Sequence, residues 1–325
     1  MAFFCYIMNK KFIFFIFYFS IFYFSLFAEK TNFSIFPFTS TSFGQMNEHI
    51  YSSTKEDVII SCLEWNLSPL YKVGCDLDFD INNFFINFSC DFSLPFPCGK
   101  MYDSDWNNTG KIKKTYSILE ENEQFCFNSL INFHYKFYIN KTLSFSPTIE
   151  TSYSYFNIKS SNGYGWFGGR DYSSTGKDES WDSPYAKFFS KVYGINYERN
   201  IFLVFTGIKT DWKIQNNFSI IADIYIAPYV YLKVIDTHLN APGLSDIKQN
   251  QYQQGFFKYY KANLGCIYNV KENLSLLFNV SYLYGQNLKG PLYLNRYSNQ
   301  LEKSKQRSGS NTKILDFKFG AKFNL

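Results

Sequence analysis

Apolar and polar residues alternate strictly over long stretches of this chain. Tyr71, Val73, Cys75, Leu77, Phe79 and Ile81 interleave with Lys72, Gly74, Asp76, Asp78 and Asp80. Across Asn82-Asn83 the parity reverses, and Phe84, Ile86, Phe88, Cys90 and Phe92 stand against Asn87, Ser89 and Asp91. Successive side chains of a β-strand point to opposite faces, so each run predicts a strand with one greasy and one polar face. Two such runs joined by an Asn-Asn step predict a hairpin. The pattern returns in Tyr260, Ala262, Leu264, Cys266 and Tyr268. After a turn at Lys271-Glu272-Asn273 it resumes in Leu274, Leu276, Phe278, Val280, Tyr282 and Tyr284. It closes with Leu315, Phe317, Phe319, Ala321, Phe323 and Leu325, set against Asp316, Lys318, Gly320, Lys322 and Asn324.

Strands aromatic on one face and charged on the other suit a sheet standing between lipid and a lumen. A soluble sandwich would instead bury the greasy face against a second sheet. The N-terminus favours the first arrangement. Lys10 and Lys11 precede an almost unbroken apolar run over 12–27, and Ala28 then offers a small residue before Glu29 and Lys30. Basic, apolar and small residues in that order read as a secretory signal peptide over 1–28, with Met8 serving equally as a start. A membrane anchor is the competing reading, but a spanning helix needs about 20 apolar residues. No stretch of 29–325 is long and apolar enough for such a helix. An exported chain of this kind crosses an outer membrane as a closed barrel. The fold expected is therefore all-β: a transmembrane antiparallel barrel. At roughly 30 residues per strand and connection it has about ten strands, in one domain over 29–325. Asn82-Asn83 and 271–273 are short turns, expected on the periplasmic side. The segments 160–183 and 289–311, rich in Gly, Ser, Asn and charge, are expected as long loops outside the cell.

Composition changes this picture little. Aromatic residues make up 22% of the chain, more than the leader alone explains, and they mark many strands with a greasy face. The formal charge of +5 is small and scattered, with no Arg/Lys cluster interleaved with aromatics, so nucleic acid is not an expected partner. Beyond the leader lie Cys62, Cys75, Cys90, Cys98, Cys126 and Cys266, without a CxxC pair or a Cys/His spacing suited to zinc. Disulfides are open to an exported chain, Cys90 and Cys98 being nearest in sequence. Cys75, Cys90 and Cys266 lie on greasy faces and read as small hydrophobes.

Two short motifs carry candidate chemistry. Asp103-Ser104-Asp105-Trp106 places two carboxylates on one side of a strand. If the parity of Asn87, Ser89 and Asp91 survives Pro95 and Pro97, that side is the lumen. Asp236-Thr237-His238 sets an acid and a histidine on one face. An acid beside histidine fixes its tautomer and supports it as a general base, and close carboxylates share a proton and position a water. The set suits hydrolysis through an activated water with no covalent nucleophile. Rim charges of a non-catalytic barrel, or a metal site, would present the same residues. The strand before Asp236 carries its polar residues Asp223, Tyr225 and Tyr229 at odd positions, whereas Asp236 and His238 are even. Either a bulge near Pro228 intervenes, or the strand has left the bilayer by then. His134 lies in an alternating run and reads as a lumen residue.

Asp-x-Asp-Trp followed some 130 residues later by Asp-x-His, in a signal-bearing barrel, resembles the omptins, ten-stranded outer-membrane endoproteases with their groove at the extracellular rim. The resemblance implies that Asp103, Asp105, Asp236 and His238 are catalytic, His238 supported by Asp236 and Asp103 paired with Asp105, with the attacking water held between them. Glu48-His49-Ile50-Tyr51 and Leu63-Glu64-Trp65 are similar to the family's first hairpin. Glu48 falls where the family places an acid at the floor of the S1 pocket, which implies binding of a basic P1 side chain. Two features depart from the family. The second S1 acid would lie two residues before Asp236, and there the chain has Val234. The basic cluster that grips lipopolysaccharide is not recognisable, although Lys187 and Lys191 lie in the region, so a lipid requirement stays open. No cofactor is expected. Partners implied are protein or peptide substrates and outer-membrane lipid. A porin or adhesin is the alternative. A lipid-modifying barrel enzyme is a third reading, with His49, His134 and His238 the only histidines to serve it.

Overall fold

Every alternating run named above forms a strand in the computed structural model, which describes residues 31–239, 246–295 and 301–325. The expected signal peptide at 1–28 lies outside the described residues. In chain order the strands are β1 (Thr31–Tyr51), β2 (Ile59–Ile81), β3 (Phe84–Ser93), β4 (Lys100–Trp106), β5 (Lys113–Tyr135), β6 (Phe137–Tyr138) and β7 (Leu143–Phe167). They continue as β8 (Lys187–Val192), β9 (Ile195–Gln215), β10 (Phe218–His238), β11 (Ile247–Gly255), β12 (Tyr259–Lys271), β13 (Leu274–Asn295) and β14 (Glu302–Asn324). Neighbours pair antiparallel, and β1 closes on β14 from Ser34–Asn324 to Ile50–Ser308. The result is a ring of about ten positions. β3 and β4 share one position between β2 and β5, and β12 and β11 share another between β10 and β13.

The two faces divide as the alternation predicts. Around the short-turn end Phe84, Phe88, Phe92, Phe133, Phe145, Leu264, Phe278, Phe319 and Phe323 are exposed outward, a belt for lipid. Inside the same level the charges pair. Lys72 lies 2.8 Å from Asp316 and 3.8 Å from Asp91, Lys318 3.1 Å from Asp76, Lys322 2.6 Å from Asp78, and Lys136 2.7 Å from Asp211. Lys261 pairs with Glu150. Above them the interior turns apolar. Trp65 stacks on Tyr197 at 4.7 Å between ring centres, amid Met46, Leu67, Met101, Leu119 and Leu232. Buried Arg199 crosses this layer to donate to Tyr259 and Thr312. His134 is inside too, stacked on Phe85 and bonded to Asn132.

The strands outrun the bilayer. β7 has 25 residues and β2 has 23, whereas a spanning barrel strand needs about 9–11. The segment 289–311, expected as a long loop, is therefore mostly paired strand, with Leu288↔Ser310 and Tyr293↔Lys303 in register. Above the lipid neither face must be greasy, so the alternation fades while the ladder of backbone hydrogen bonds continues. The expected loop 160–183 likewise begins as the end of β7.

Ion pairs below and packed aromatics above obstruct the lumen. Reconstituted into a planar bilayer, the protein is expected to give no steady conductance. Stable single-channel steps would mean that these side chains do not seal the ring.

Candidate active site

The two broken ring positions are where the candidate residues enter. On β10 the inward side chains are first odd-numbered, with Tyr225 and Ala227 buried. The pairing of β10 with β9 then slips between Ile226 and Tyr229, and here β10 exchanges β12 for β11. Beyond the slip Val230, Leu232, Val234 and Asp236 are the buried row. A bulge adds one residue to a strand and so reverses which face each side chain meets. Pro228, which cannot donate to a ladder, sits within it, where proline is tolerated. The parity conflict read from the sequence is thereby resolved.

On the opposite wall, 94–99 leads from β3 into β4. Gly99 has φ +144°, and a Cβ there would lie 2.2 Å from the Asn66 carbonyl oxygen of β2. Glycine lets the chain pass this close and re-join β2, with Met101 opposite Trp65 and Asp103 opposite Leu63. Odd parity survives the break. Met101 packs in the apolar layer, and Asp103 and Asp105 follow on the same face above it. Asp105 accepts a hydrogen bond from the Thr115 hydroxyl at 2.8 Å, and its backbone N–H donates to the same oxygen at 3.1 Å.

The walls meet electrostatically across the mouth. His238 Nε2 donates to Asp236 Oδ2 at 2.8 Å, with Asp236 wholly buried and the His238 side chain 30% exposed. The Gln249 side-chain nitrogen of β11 lies 3.1 Å from the same ring nitrogen. Burial opposes a charge on His238, but the Asp236 carboxylate outweighs it, helped by Asp103 and Glu48, and lifts the imidazole to about 10. Loss of hydration, then the charge of Asp105, pushes the Asp103 carboxyl up to about 8, against the opposing pull of His238. The arrangement thus sets a carboxyl that holds its proton to unusually high pH across from an Asp236–His238 pair that favours the charged ring. These positions lie far along their strands from the lipid belt. Among the described residues no group of three or more His, Cys, Asp or Glu has the spacing to hold a metal ion.

Glu48 lies deeper, on β1, only 2% exposed. Its Oε1 accepts from the Gln251 amide of β11, while Oε2 has no hydrogen-bond partner among the described residues. Burial, reinforced by Asp236, holds Glu48 well above the usual carboxylate range. Val234 stands in register with Gln251, so an apolar side chain and an amide flank the acid. Lys187 and Lys191 lie apart on β8, over the rings of Phe189 and Tyr193. Sequence reading missed Thr115, Gln249 and Gln251. The alternate glutamines 249, 251 and 253 were a visible signal, since three amides on one face of a strand are costly to bury without partners.

Among solved structures the fold matches the outer membrane protease OmpT of Escherichia coli, at TM-score 0.76 and 15% identity, covering 90% of this chain and 97% of that one. The translocator domain of the autotransporter NalP of Neisseria meningitidis aligns only loosely, at TM-score 0.35 and 8% identity, over 91% of this chain and 89% of that one. No curated protein sequence matches. The family model for omptins matches residues 30–325, so the chain belongs to the Omptin family.

Proposed function

We propose that this chain is an outer-membrane endopeptidase that cleaves peptide bonds through a water activated between its two walls, with the groove at the extracellular end. The observation that carries the reading is the juxtaposition of an Asp-His pair and an Asp-Asp pair across one mouth, each delivered by a break in the strand ladder. His238 takes the proton of the attacking water and passes it to the leaving amine. Asp236 holds the ring and offsets its charge. Asp103, beside Asp105, orients the water from the other wall. No serine, threonine or cysteine nucleophile enters this scheme; the reaction is of the aspartyl type, with the water adding directly. Glu48 forms the floor of S1 and favours a basic P1 residue, less strongly than two acids would, because Val234 supplies no charge.

Two expectations follow from these roles. His238→Ala and Asp103→Ala should each lower kcat/KM on a fluorogenic peptide by about 10²–10⁴-fold. The barrel should stay folded, as read by heat-modifiable mobility. Near wild-type turnover in either variant removes that residue from the mechanism.

The second concerns pH. A neutral His238 requires the resting cluster to lose one proton, and the lower of its two values is about 8. The proton belongs to the coupled set rather than to one residue. kcat/KM is therefore expected to climb with pH through the neutral range and to level off above about 8. In Asp105→Asn the repulsion that raises Asp103 is gone, so the rising limb should move to lower pH. A profile that peaks in acid and falls through neutrality would contradict the assignment of His238 as base.

A further inference from the structure

The buried end of the proposed P1 pocket is not a free carboxylate. Gln251 occupies one of its oxygens, and three observations fix how. The Gln251 amide nitrogen donates to Glu48 Oε1. Gln251 Oε1 in turn accepts from the Gln253 amide at 3.2 Å, which sets the Gln251 amide with its nitrogen toward Glu48. Gln253 is itself within 3.4 Å of the Ser308 hydroxyl. Gln251 and Gln253 are almost wholly buried, so this row is anchored rather than free to swing. What remains is Glu48 Oε2, a buried acceptor with no partner among the described residues. Buried polar atoms are nearly always satisfied, so an acceptor left unfilled at the proposed floor of S1 is open to a substrate donor.

We infer that Gln251 determines P1 specificity: by holding one oxygen of Glu48 it leaves a single unengaged oxygen to the substrate, and the pocket prefers lysine to arginine. This rests on Glu48 being the floor of S1. A guanidinium carries five N–H donors in a planar fork and is best met by two carboxylate oxygens at once. With one oxygen taken and Val234 apolar, several of those donors would be buried without partners. An ammonium is a compact point charge that a single oxygen serves well, and its three rotatable donors adapt to the acceptors at hand. Its charge also favours the ionised form of Glu48, which burial opposes. The amide thus does more than fill the space of a missing acid.

The test uses peptides identical except for Lys, Arg or norleucine at P1, cleaved by the full mature protein. Wild type should show kcat/KM higher for Lys than for Arg by about tenfold. Gln251→Leu keeps the volume but removes the donor, freeing Glu48 Oε1 for the guanidinium. Gln251→Glu adds a second acid. Both should shift the Lys/Arg ratio toward Arg by about tenfold or more. The inference falls if wild type prefers Arg, or if the ratio stays put in both variants. Glu48→Gln separates it from the underlying reading. Loss of preference for both basic residues over norleucine supports Glu48 as the S1 floor, whatever the Gln251 variants do. Retention of that preference overturns the floor assignment itself. Heat-modifiable mobility verifies folding, and should Gln251→Leu fail to fold, the wild-type ratio and Gln251→Glu decide.

Discussion

Backbone N–H and C=O groups within hydrocarbon have no water to bond, and an unpaired edge there costs several kcal/mol per group. The closure of β1 on β14 removes that edge, and much else in this molecule follows from it. Closure puts every strand between two environments, so its residues alternate between lipid and lumen. It also makes the interior narrow, so charges placed there must pair. Lys72 between Asp91 and Asp316 is the clearest case, since removing it would leave two carboxylates in the interior without their cation.

The interior is layered along the barrel axis, and the order has an electrostatic logic. Ion pairs fill the level of the membrane, a stack of Trp65 on Tyr197 with Met and Leu lies above them, and titrating acids and a histidine occupy the far mouth. The apolar layer separates the structural charges from the candidate chemistry. It withholds water from Glu48, and loss of hydration there and at Asp103, with Asp105 beside the latter, raises both carboxyls. Arg199, buried in the same layer, adds to His238 and Gln251 in favouring the charged form of Glu48.

The membrane-spanning half was legible because lipid enforces a period of two. Val73, Cys75 and Leu77 against Gly74, Asp76 and Asp78 admit only one register, and Phe317, Phe319 and Phe323 at the other seam admit only one face. The upper half was harder, because both faces there meet water and polarity no longer reports direction. That is why 289–295 and 302–311 read as loop and form strand. The four acidic and imidazole positions could be named, but their meeting could not. It depends on Gly99, which lets the chain re-join β2 with its parity kept, and on the slip around Pro228, which reverses it. Even so, the clash between odd Asp223 and even Asp236 did announce the second of these. Gln249 and Gln251 escaped notice because an amide proclaims no chemistry of its own. Their importance appears only when strand pairing sets them beside His238 and Glu48.

The candidate groups stand on strands rather than on the loops above them. β4 and β10 are staves of one closed ring, each hydrogen-bonded on both sides. Such walls cannot hinge apart to admit a bulky guest, because no stave moves without tearing the ladder to its neighbours. Accommodation must then come from the other molecule. If the proposed groove lies between these walls, its width is set by the ladder, and a partner that arrives already extended suits it better than a compact surface.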